Sequence, residues 1–541
     1  MGRVGTSVRG SLAAVGLSLA AASCGTPEPT IVTTSRAAEL APAAGWSTSG
    51  ATIRDPAGAE FLVSGINWYG FETRDGVAHG LYSKDYRFIL DEVKQYGFNT
   101  VRIPFSNSMW ETNALPGRSK ISACPDCANR RARDILALIV NYAGSIGLHV
   151  ILDNHRSTGG NSAEDSGLWY TPSFPESAWI RDWTSILQWT HGIRQTLGAP
   201  DTIATAVLAS DGFPIVIGFD LRNEPHSPST KTNPMYLSGA TWGTGDGINP
   251  TVNPNPNPFA PTCVASSTCR DWRLAAERAA DTVFGAATAM GWDLPLVFVE
   301  GIGLYPTATG TPAAGPYEGT WWGANLLGVN GNGGNPGAPV VLNAGGTALS
   351  LGAPVTDKLV YSAHDYGPAV AKQAWFKATT CYRSGCTGTS LADTWKKFWA
   401  YINLGEVNPT WPGQASYPWG NTGHSGYTTA PIYLGEFGTG NASEDLASAT
   451  RGSQGQWFTD MVNFIASSRN PTVANDSGLA VTSLSFSNWA LNTEDSMALL
   501  STNYVNLSNP AKVFTYFCAI ESAPFAVAPQ CGSTGALPNP L

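Results

Sequence analysis

Short apolar runs alternate with amphipathic stretches along most of this chain, and that alternation limits the folds open to it. Eight runs have the length and composition of buried strands: 61–68, 99–103, 148–153, 214–221, 294–300, 358–364, 430–436 and 483–489. Helical patterns lie between most of them, at 83–97, 131–147, 178–193, 271–291 and 454–468, and several end in glycine. Strands that alternate with helices form a parallel sheet, and eight such strands close a barrel. The pattern therefore predicts an α/β fold, a single (β/α)8 TIM barrel.

Long loops must hold the residues that such a barrel does not need. The chain has 541 residues, whereas roughly 250 are typical of this fold. Its 59 glycines and 37 prolines favour turn-rich connections. The longest candidate loops are 248–262, 328–356 and 376–427. Because no linker divides the chain, we predict one barrel domain over residues 46–518, with long loops at its C-terminal face.

The N-terminus has the pattern of an export signal. Two arginines precede the apolar stretch 11–23, which is too short to remain across a bilayer. Residues 21–24, Ala-Ala-Ser-Cys, resemble a bacterial lipobox, in which the cysteine is lipidated; the alternative is an ordinary signal peptide cut nearby. We predict a signal peptide over 1–23, then a lipid-anchor cysteine, Cys24, and a flexible tether over 24–45. The protein would then be a bacterial extracellular or cell-surface lipoprotein.

The cysteines fit an oxidising compartment. Eight of the nine remain once Cys24 is set aside, which is an even number in an exported chain. We predict four short-loop disulfides: Cys124–Cys127, Cys263–Cys269, Cys381–Cys386 and Cys518–Cys531. The first pair also fits a redox or metal motif, but no second C-x-x-C accompanies it. The last pair would staple the C-terminal tail, 519–541, to the barrel.

Polar and aromatic residues replace the aliphatic pattern where the eight predicted strands end. These strand ends carry Asn67-Trp68, Arg102, Asp153-Asn154-His155, Asn223-Glu224, Glu300, His364-Asp365-Tyr366, Glu436 and Asn488-Trp489. Catalytic side chains of a TIM barrel come from these ends. Flat aromatic faces together with hydrogen-bonding groups suit a sugar ring, and cleavage of a glycosidic bond needs two carboxyl groups.

Three glutamates compete for the two catalytic roles. Glu224 lies between Asn223 and a strand-ending proline, and Glu436 lies between glycines that permit close approach of a ligand. For Glu300 we favour a structural role as a hydrogen-bonding partner in the barrel mouth. Asp220 is less attractive because we place it inside its strand. Since successive strand residues point to opposite faces, Asn223 and Glu224 can share the cleft only if the chain bends there.

An ordered set of motifs identifies the chain as resembling glycoside hydrolase family 5, in the clan of retaining (β/α)8 glycosidases. The motifs are GINWYGFET, HGLYSKDYR, VRIP, DNH, GFDLRNEPH, DWRLAAERA, WWGANL, YSAHDYG, GEFG and SNWALN. They extend over residues 62–500 and look closest to the bacterial endo-β-1,4-glucanase (cellulase) subgroup. Tyr82 stands where members of that subgroup tend to have tryptophan, and we find no separate cellulose-binding module.

The resemblance implies a role for each matching residue. Glu224 would be the general acid/base and Glu436 the nucleophile. Catalytic support and substrate binding would fall to six others: Arg102, His155, Asn223, His364, Tyr366 and Trp489. Further subsites are expected at Asn67, His79, Tyr82, Trp321 and Trp322. We expect Arg102 to lower the pKa of Glu436, and the second carboxylate to raise that of Glu224. The carboxyl separation would then be the retaining one, roughly 5–5.5 Å.

These residues predict a monomeric hydrolase of β-linked glucan that needs no cofactor and no metal. β-1,3-Glucanase, β-mannanase and glycoconjugate-directed activities on the same fold remain alternatives, as does a non-catalytic carbohydrate-binding lipoprotein. The histidines lack the H-x-x-x-H spacing of a metal enzyme. A net charge of −9, without a basic run beyond Arg130-Arg131, argues against nucleic-acid binding.

Overall fold

The computed structural model describes residues 45–227, 239–243, 269–306, 317–332, 335–336, 338–345, 353–405 and 429–521. Several predictions fall outside these ranges. They are the signal peptide, the anchor and tether up to residue 44, loop 248–262, the second half of loop 376–427 and the tail from residue 522. Among the helices of the described ranges, none combines the length and apolar character that crossing a membrane requires.

Eight parallel strands close into a barrel, which confirms the predicted fold. The strands are β1 (Ser64–Asn67), β2 (Thr100–Ser106), β3 (His149–Arg156), β4 (Val216–Asp220), β5 (Leu296–Glu300), β6 (Leu359–Tyr366), β7 (Ile432–Gly438) and β8 (Ser485–Asn488). Each strand pairs with the next one along the chain, and β8 pairs with β1. All eight correspond to the apolar runs of the sequence. The carboxyl ends of the strands therefore meet around one mouth.

Helices surround the barrel, five of them at the predicted positions, whereas α5 lies in the stretch 376–427 that was predicted to be a loop. They are α1 (Tyr86–Gln95), α2 (Ala132–Ser145), α3 (Glu176–Thr190), α4 (Trp272–Met290), α5 (Leu391–Trp395, continued by Lys396–Ala400 and Tyr401–Asn403) and α6 (Gln454–Arg469). A last helical segment follows β8, over Lys512–Phe517 and Cys518–Glu521. Local chemistry sets the ends of α4. The Asp271 side chain accepts from the N–H of Leu274, and Gly291 adopts φ +68°, a conformation that glycine takes at no steric cost.

Shorter elements decorate this frame. Helical turns lie at Asn107–Thr112, Arg118–Ile121, Pro125–Cys127, Leu327–Asn330 and Ser443–Ala447. Antiparallel pairs join Ser47–Ser49 to Thr52–Arg54, Leu304–Pro306 to Tyr317–Gly319, Gly331–Asn332 to Asn335–Pro336, and Leu342–Ala344 to Ala353–Val355. The last pair belongs to the connection from β5 to β6 and packs against α4.

The barrel interior divides into an apolar floor and a polar mouth. Trp46 packs on Phe61 and His149 at the amino end of the barrel, and its indole N–H donates to the carbonyl of Pro214. Buried side chains from several strands complete this floor: Val63, Ile151, Ile217, Leu296, Phe298, Val360 and Tyr433. Because apolar residues fill the interior from below, buried polar groups concentrate at the carboxyl ends of the strands.

Two of the four predicted disulfides join described residues, Cys124–Cys127 and Cys381–Cys386. Cys269 and Cys518 are also disulfide-bonded. Their predicted partners, Cys263 and Cys531, lie outside the described ranges. The C-x-x-C pair is thus a loop disulfide, as the sequence favoured.

Candidate active site

The chain leaves strand geometry between Asp220 and Glu224. Strand β4 ends at Asp220, four residues earlier than the carboxylate that the sequence placed at its tip. Glu224 adopts φ +47°, in the left-handed region that non-glycine residues rarely occupy. This bend brings both Asn223 and Glu224 to the mouth. It resolves the conflict between their adjacency in sequence and the alternation of side chains along a strand.

The prediction that Asp220 lies inside its strand is wrong, because Asp220 is the last residue of β4. Its carboxylate is fully buried and accepts from Nε of Arg102 at 3.0 Å. Because Asp220 has no exposed surface, its carboxylate does not face the open part of the mouth.

Arg102, from β2, lies at the centre of the mouth with no exposed surface. Its Nη1 donates to Oε1 of Glu436 and to Oδ1 of Asn67, both at 3.0 Å. Its Nη2 lies 3.2 Å from Asp153 and 3.3 Å from Glu300. Burial alone would lower the pKa of Arg102, but the surrounding carboxylates raise it well above its ordinary value. The guanidinium is therefore a permanent positive charge at the centre of the mouth.

Glu436, on β7, is held at both carboxylate oxygens. Arg102 binds Oε1, and the hydroxyl of Tyr366 donates to Oε2 at 2.8 Å. The pairing of β7 with both neighbouring strands shifts register beside this residue, and such irregularities re-aim side chains. Burial alone would raise the pKa of Glu436, but His364 and Arg102 lower it below its ordinary value. Glu436 is thus poised to stay ionised.

Glu224 faces Glu436 across the mouth and keeps 17% of its side-chain surface exposed. Carboxylate oxygens of the two residues lie within 4.8 Å of each other. Burial raises the pKa of Glu224 above its ordinary value, and the charge of Glu436 raises it further, against the opposing effect of His364. The two carboxyl groups therefore differ in the direction of their pKa shifts, as the sequence predicted.

His364, on β6, lies between carboxylates on both sides of its ring. Its Nδ1 is 3.1 Å from Oε1 of Glu224, and its Nε2 is 3.1 Å from Oε1 of Glu300. Burial would lower the pKa of His364, but Glu300 and Glu436 raise it well above its ordinary value. An imidazolium at this position adds a second positive charge to the carboxylate-rich mouth.

A flat floor opens beside these carboxylates. Trp489, which follows β8, stacks on His155 with ring centres 5.8 Å apart and on Tyr69 at 5.5 Å. Nδ1 of His155 is 2.8 Å from Oδ2 of Asp153, and its Nε2 is 3.5 Å from the side-chain nitrogen of Asn223. All these groups line one side of the mouth. They present hydrogen-bonding edges around an aromatic face, which is the surface a pyranose needs.

Tyr82 and His79 extend this side of the mouth toward solvent. Tyr82 is 37% exposed, and its hydroxyl donates to Oε1 of Glu494 at 2.6 Å. His79 lies 3.0 Å from Asp75 and 3.6 Å from the same glutamate. Both predicted subsite residues are therefore near the surface, tied to Glu494.

Asn67 departs from its predicted role as a subsite residue. It is fully buried, its Oδ1 accepts from Arg102, and its amide nitrogen donates to the carbonyl of Gly435 at 3.0 Å. Because both ends of the amide are used inside the barrel, Asn67 supports Arg102 and does not reach a sugar.

Tryptophans border the opposite side of the mouth. Trp322 is 37% exposed and stacks on His226 with ring centres 3.7 Å apart and an interplanar angle of 5°. His226 itself is anchored, since its Nδ1 lies 2.7 Å from the carbonyl oxygen of Glu224. Trp321 is buried and packs edge-on against Tyr366. Of the two predicted tryptophans, Trp322 is the one with an open face.

Several functional contacts escaped the sequence analysis. Tyr69 directly follows Asn67-Trp68, and His226 directly follows Pro225. An aromatic residue just past each strand end was therefore the sequence signal that could have indicated these contacts. Glu494 lies in the loop after β8, where no local pattern marked it. For Glu300 the prediction of a structural role agrees with the structure, since its side chain is fully buried and hydrogen-bonded.

Among the described residues, one group has the spacing of metal ligands, and it consists of Glu224, His364 and Glu436. A metal-bound imidazole must give up its proton, whereas the carboxylates around His364 raise its pKa. The raised pKa of His364 is therefore the opposite of what coordination of an ion by its ring would require.

Comparisons with known proteins agree with this geometry. Residues 55–409 match the model of the family described as Cellulase (glycosyl hydrolase family 5). An endoglucanase from Paenibacillus polymyxa is 29% identical over 442 residues, covering 80% of this chain and 82% of that protein. The major extracellular endoglucanase of Xanthomonas campestris pv. campestris is 28% identical over 324 residues, covering 60% of this chain and only 50% of the relative. A solved hyperthermophilic endocellulase from the archaeon Pyrococcus horikoshii is 25% identical, with a TM-score of 0.56, and covers 86% of this chain and 96% of that one.

Proposed function

Because the chain belongs to glycosyl hydrolase family 5, we propose that it cleaves β-linked glucan by double displacement, with Glu436 as nucleophile and Glu224 as acid/base. The observation that carries this proposal is the pair of carboxyl groups itself. Their oxygens lie within 4.8 Å, and their pKa values shift in opposite directions. An inverting pair needs a gap of roughly 6.5–9.5 Å to admit water, so the short separation supports retention.

In the first step an oxygen of Glu436 attacks the anomeric carbon while Glu224 gives its proton to the glycosidic oxygen. The carbon–oxygen bond to the leaving sugar breaks, and a glycosyl–enzyme ester forms. Arg102 and Tyr366 hold the attacking carboxylate in one orientation. Both are preformed donors, so little reorganisation is needed as the bond forms.

In the second step Glu224 takes a proton from water, and the resulting hydroxide attacks the same carbon. Glu436 leaves as a carboxylate, and the product regains the β configuration. Neutralising Glu436 in the ester removes the neighbouring charge that helps raise the pKa of Glu224. The acid of the first step can therefore act as the base of the second.

Substrate recognition would use the remaining predicted residues. Trp489 would stack on the sugar at the cleavage point, with His155 and Asn223 bonding to its hydroxyls. His364, predicted for the same contact, has no exposed surface and places its two ring nitrogens against Glu224 and Glu300, so it would act through these carboxylates. His79 and Tyr82 would extend this surface, whereas Trp321 is buried and would support Tyr366. Tyr82 lies near β1 and β8, whereas Trp322 lies near β4 and β5, across the closed barrel. The two rings would therefore bind sugars on either side of the cleaved bond.

We favour β-1,4-glucan and internal cleavage because the relatives are named endoglucanases and exposed aromatic rings lie on both sides of the carboxylates. An intact acid/base and nucleophile pair favours hydrolysis over carbohydrate binding alone. β-1,3-Glucan, mannan and glycoconjugates are the alternative substrates, and the same test compares them with β-1,4-glucan. The catalytic domain would comprise residues 46–518 and act as a monomer.

The test is a panel of β-1,4-glucan, β-1,3-glucan, mannan and xylan incubated with wild type, Glu436→Gln and Glu224→Gln. Release of reducing ends from β-1,4-glucan, with a rapid fall in viscosity, is expected of wild type alone. Proton NMR of the first products should show the β anomer. Full activity of Glu436→Gln, or initial release of the α anomer, would refute the mechanism.

Export to the cell surface is a separate part of the proposal. It is supported by the N-terminal pattern and by a relative named as extracellular. Lipidation at Cys24 would retain activity in the membrane fraction of a bacterial host. We expect Cys24→Ala to move the activity from the membrane fraction to the soluble fraction. If the wild-type protein is already soluble, the N-terminus is an ordinary signal peptide and not a lipid anchor.

A further inference from the structure

Glu300 is a buried carboxylate that the two catalytic steps do not use. It ends β5, its side chain has no exposed surface, and its Oε2 accepts from the backbone N–H of Glu224 at 2.7 Å. Its Oε1 lies 3.3 Å from Arg102 and 3.1 Å from His364. One side chain therefore touches the peptide of the acid/base and both cations of the mouth.

The backbone at Glu224 needs such a partner. With φ at +47°, this residue occupies a region that costs free energy for any side chain with a Cβ. Such a conformation persists only where surrounding contacts over-determine it. A hydrogen bond from an N–H to an ionised carboxylate is stronger than one to a neutral acceptor. Glu300 thus supplies the contact that fixes the direction in which the Glu224 side chain leaves the main chain.

The surroundings are shaped around this carboxylate. Gly323 has φ +74°, and a Cβ placed there would lie 2.3 Å from Oε2 of Glu300. The N–H of Gly301 donates to the carbonyl of Gly323 at 2.6 Å, and the indole of Trp272 donates to the carbonyl of Glu300 at 2.8 Å. Main chain on both sides therefore confines Glu300 to one position.

A simpler explanation is that Glu300 only balances the charge of Arg102. Asp153 and Asp220 also do this, and both are as deeply buried. Among the hydrogen bonds and ion pairs of these three carboxylates, only those of Glu300 reach Glu224 and His364. Charge balance alone does not account for those two contacts.

We propose that Glu300 is a positioning residue for the acid step, which orients the carboxyl group of Glu224 toward the glycosidic oxygen through its backbone N–H. This inference rests on the proposed function, because it assigns Glu300 a role through Glu224. It predicts a defect that depends on how much the leaving group needs a proton.

The experiment compares two substrates of different leaving group. Cellotetraose has a sugar leaving group that needs protonation, whereas 2,4-dinitrophenyl β-cellobioside releases a phenolate that departs without it. We expect Glu300→Ala to lower kcat/KM on cellotetraose by about 100-fold, the size of effect that misplacing a catalytic group by about 1 Å produces. On the aryl substrate kcat/KM should fall far less. Glu300→Gln keeps an oxygen that can accept from the N–H and should recover part of the loss.

Asp220→Asn is the matched control, since it alters a carboxylate that contacts Arg102 but not Glu224. It should lower kcat/KM on both substrates by the same factor. An equal loss on both substrates in Glu300→Ala would overturn the inference and leave Glu300 a counter-ion. If Glu300→Ala does not fold, Gly323→Ala decides, because its added Cβ displaces the Glu300 carboxylate. An unchanged substrate ratio in that variant would overturn the inference as well.

Failure of the proposed function is separately visible. Glu224→Gln must itself lose cellotetraose cleavage while retaining glycosylation by the aryl substrate. If it does not, Glu224 is not the acid, and the double-displacement assignment fails whatever Glu300 does.

Discussion

The hydroxyl of Tyr366 donates a 2.8 Å hydrogen bond to Oε2 of Glu436, the carboxylate oxygen that Arg102 does not bind. Burial and the adjacent charge raise the pKa of Tyr366 well above its ordinary value, so it remains a donor. Glu436, the proposed nucleophile, is therefore held from two sides, and each donor can be removed separately.

Tyr366→Phe should lower kcat/KM about 10- to 100-fold, because a hydrogen bond to a charged group contributes about 1.5–3 kcal/mol. Steady-state kinetics on the aryl cellobioside would measure this directly. Tyr361→Phe is the control, since that hydroxyl, on the same strand, accepts from the N–H of Val340 away from the carboxylates. It should cost stability while leaving kcat near that of wild type. Equal kinetic losses in both variants would show that the Tyr366 hydroxyl has no special role.

The pH dependence of kcat/KM should be bell-shaped, with limbs on either side of the ordinary glutamate pKa. The pKa of Glu436 is lowered, so this proposed nucleophile stays ionised below the ordinary glutamate pKa. The pKa of Glu224 is raised, so this proposed acid stays protonated above that value. Activity therefore falls on the acid side as Glu436 is protonated, and on the basic side as Glu224 ionises.

The aryl cellobioside tests that assignment, because its leaving group needs no proton from Glu224. In wild type, kcat/KM on this substrate should keep the acidic limb and lack the basic limb that cellotetraose shows. Persistence of the basic limb would assign it to another group.

The Asp365 side chain gives a separate prediction for stability. It leaves the barrel on the outer face of β6, where Trp457 donates to Oδ1 at 2.9 Å and Trp399 to Oδ2 at 3.4 Å. Burial raises its pKa from 3.8 to about 7. Since the folded state holds this proton more tightly, the stabilisation is complete below about pH 4 and is lost as pH rises toward 7.

Asp365→Asn should flatten this part of the stability profile, because the amide has no charge to bury. Chemical unfolding between pH 4 and 8 would measure it, and relative to wild type the variant should be more stable at pH 8 than at pH 4. Parallel profiles for the two proteins would contradict the shifted pKa. The test does not depend on a change in activity, because Asp365 contacts the indoles of Trp457 and Trp399 and not the substrate.

The aromatic platforms on the two sides of the mouth should contribute binding and little chemistry. Trp322→Ala and Tyr82→Ala should each raise KM for long oligosaccharides by up to about 10-fold, since a stacked aromatic contact contributes about 0.5–1.5 kcal/mol. Their kcat should stay close to that of wild type. Phe88→Ala, an exposed aromatic on α1, is the control and should leave KM unchanged. A matching rise in KM there would mean that the variants act through general destabilisation.

The barrel was predictable because it depends on local patterns, whereas the choice of Glu224 and Glu436 among three strand-end glutamates came from the family resemblance. Apolar runs of strand length mark β1–β8, and the residues that interrupt them mark the mouth. A bend at Asn223 and Glu224 was expected from their adjacency, but the sequence predicted neither the end of β4 at Asp220 nor the positive φ of Glu224. Asn67 carried the same strand-end signal as Trp489, yet one is buried under Arg102 and the other stacks beside the cleft. Such distinctions depend on contacts between strands far apart in sequence.

Arg102 contacts side chains from five other strands of the barrel: Asn67, Asp153, Asp220, Glu300 and Glu436. Removing this one cation would leave several buried carboxylates with His364 as their remaining cationic neighbour in the mouth, whereas removing one carboxylate alters the field felt by all the others. Whether a substitution at one of these positions is tolerated therefore depends on the residues at the others. New substrate preferences can arise cheaply in the loops that carry Tyr82 and Trp322, while the charge network beneath them can change only by concerted substitution.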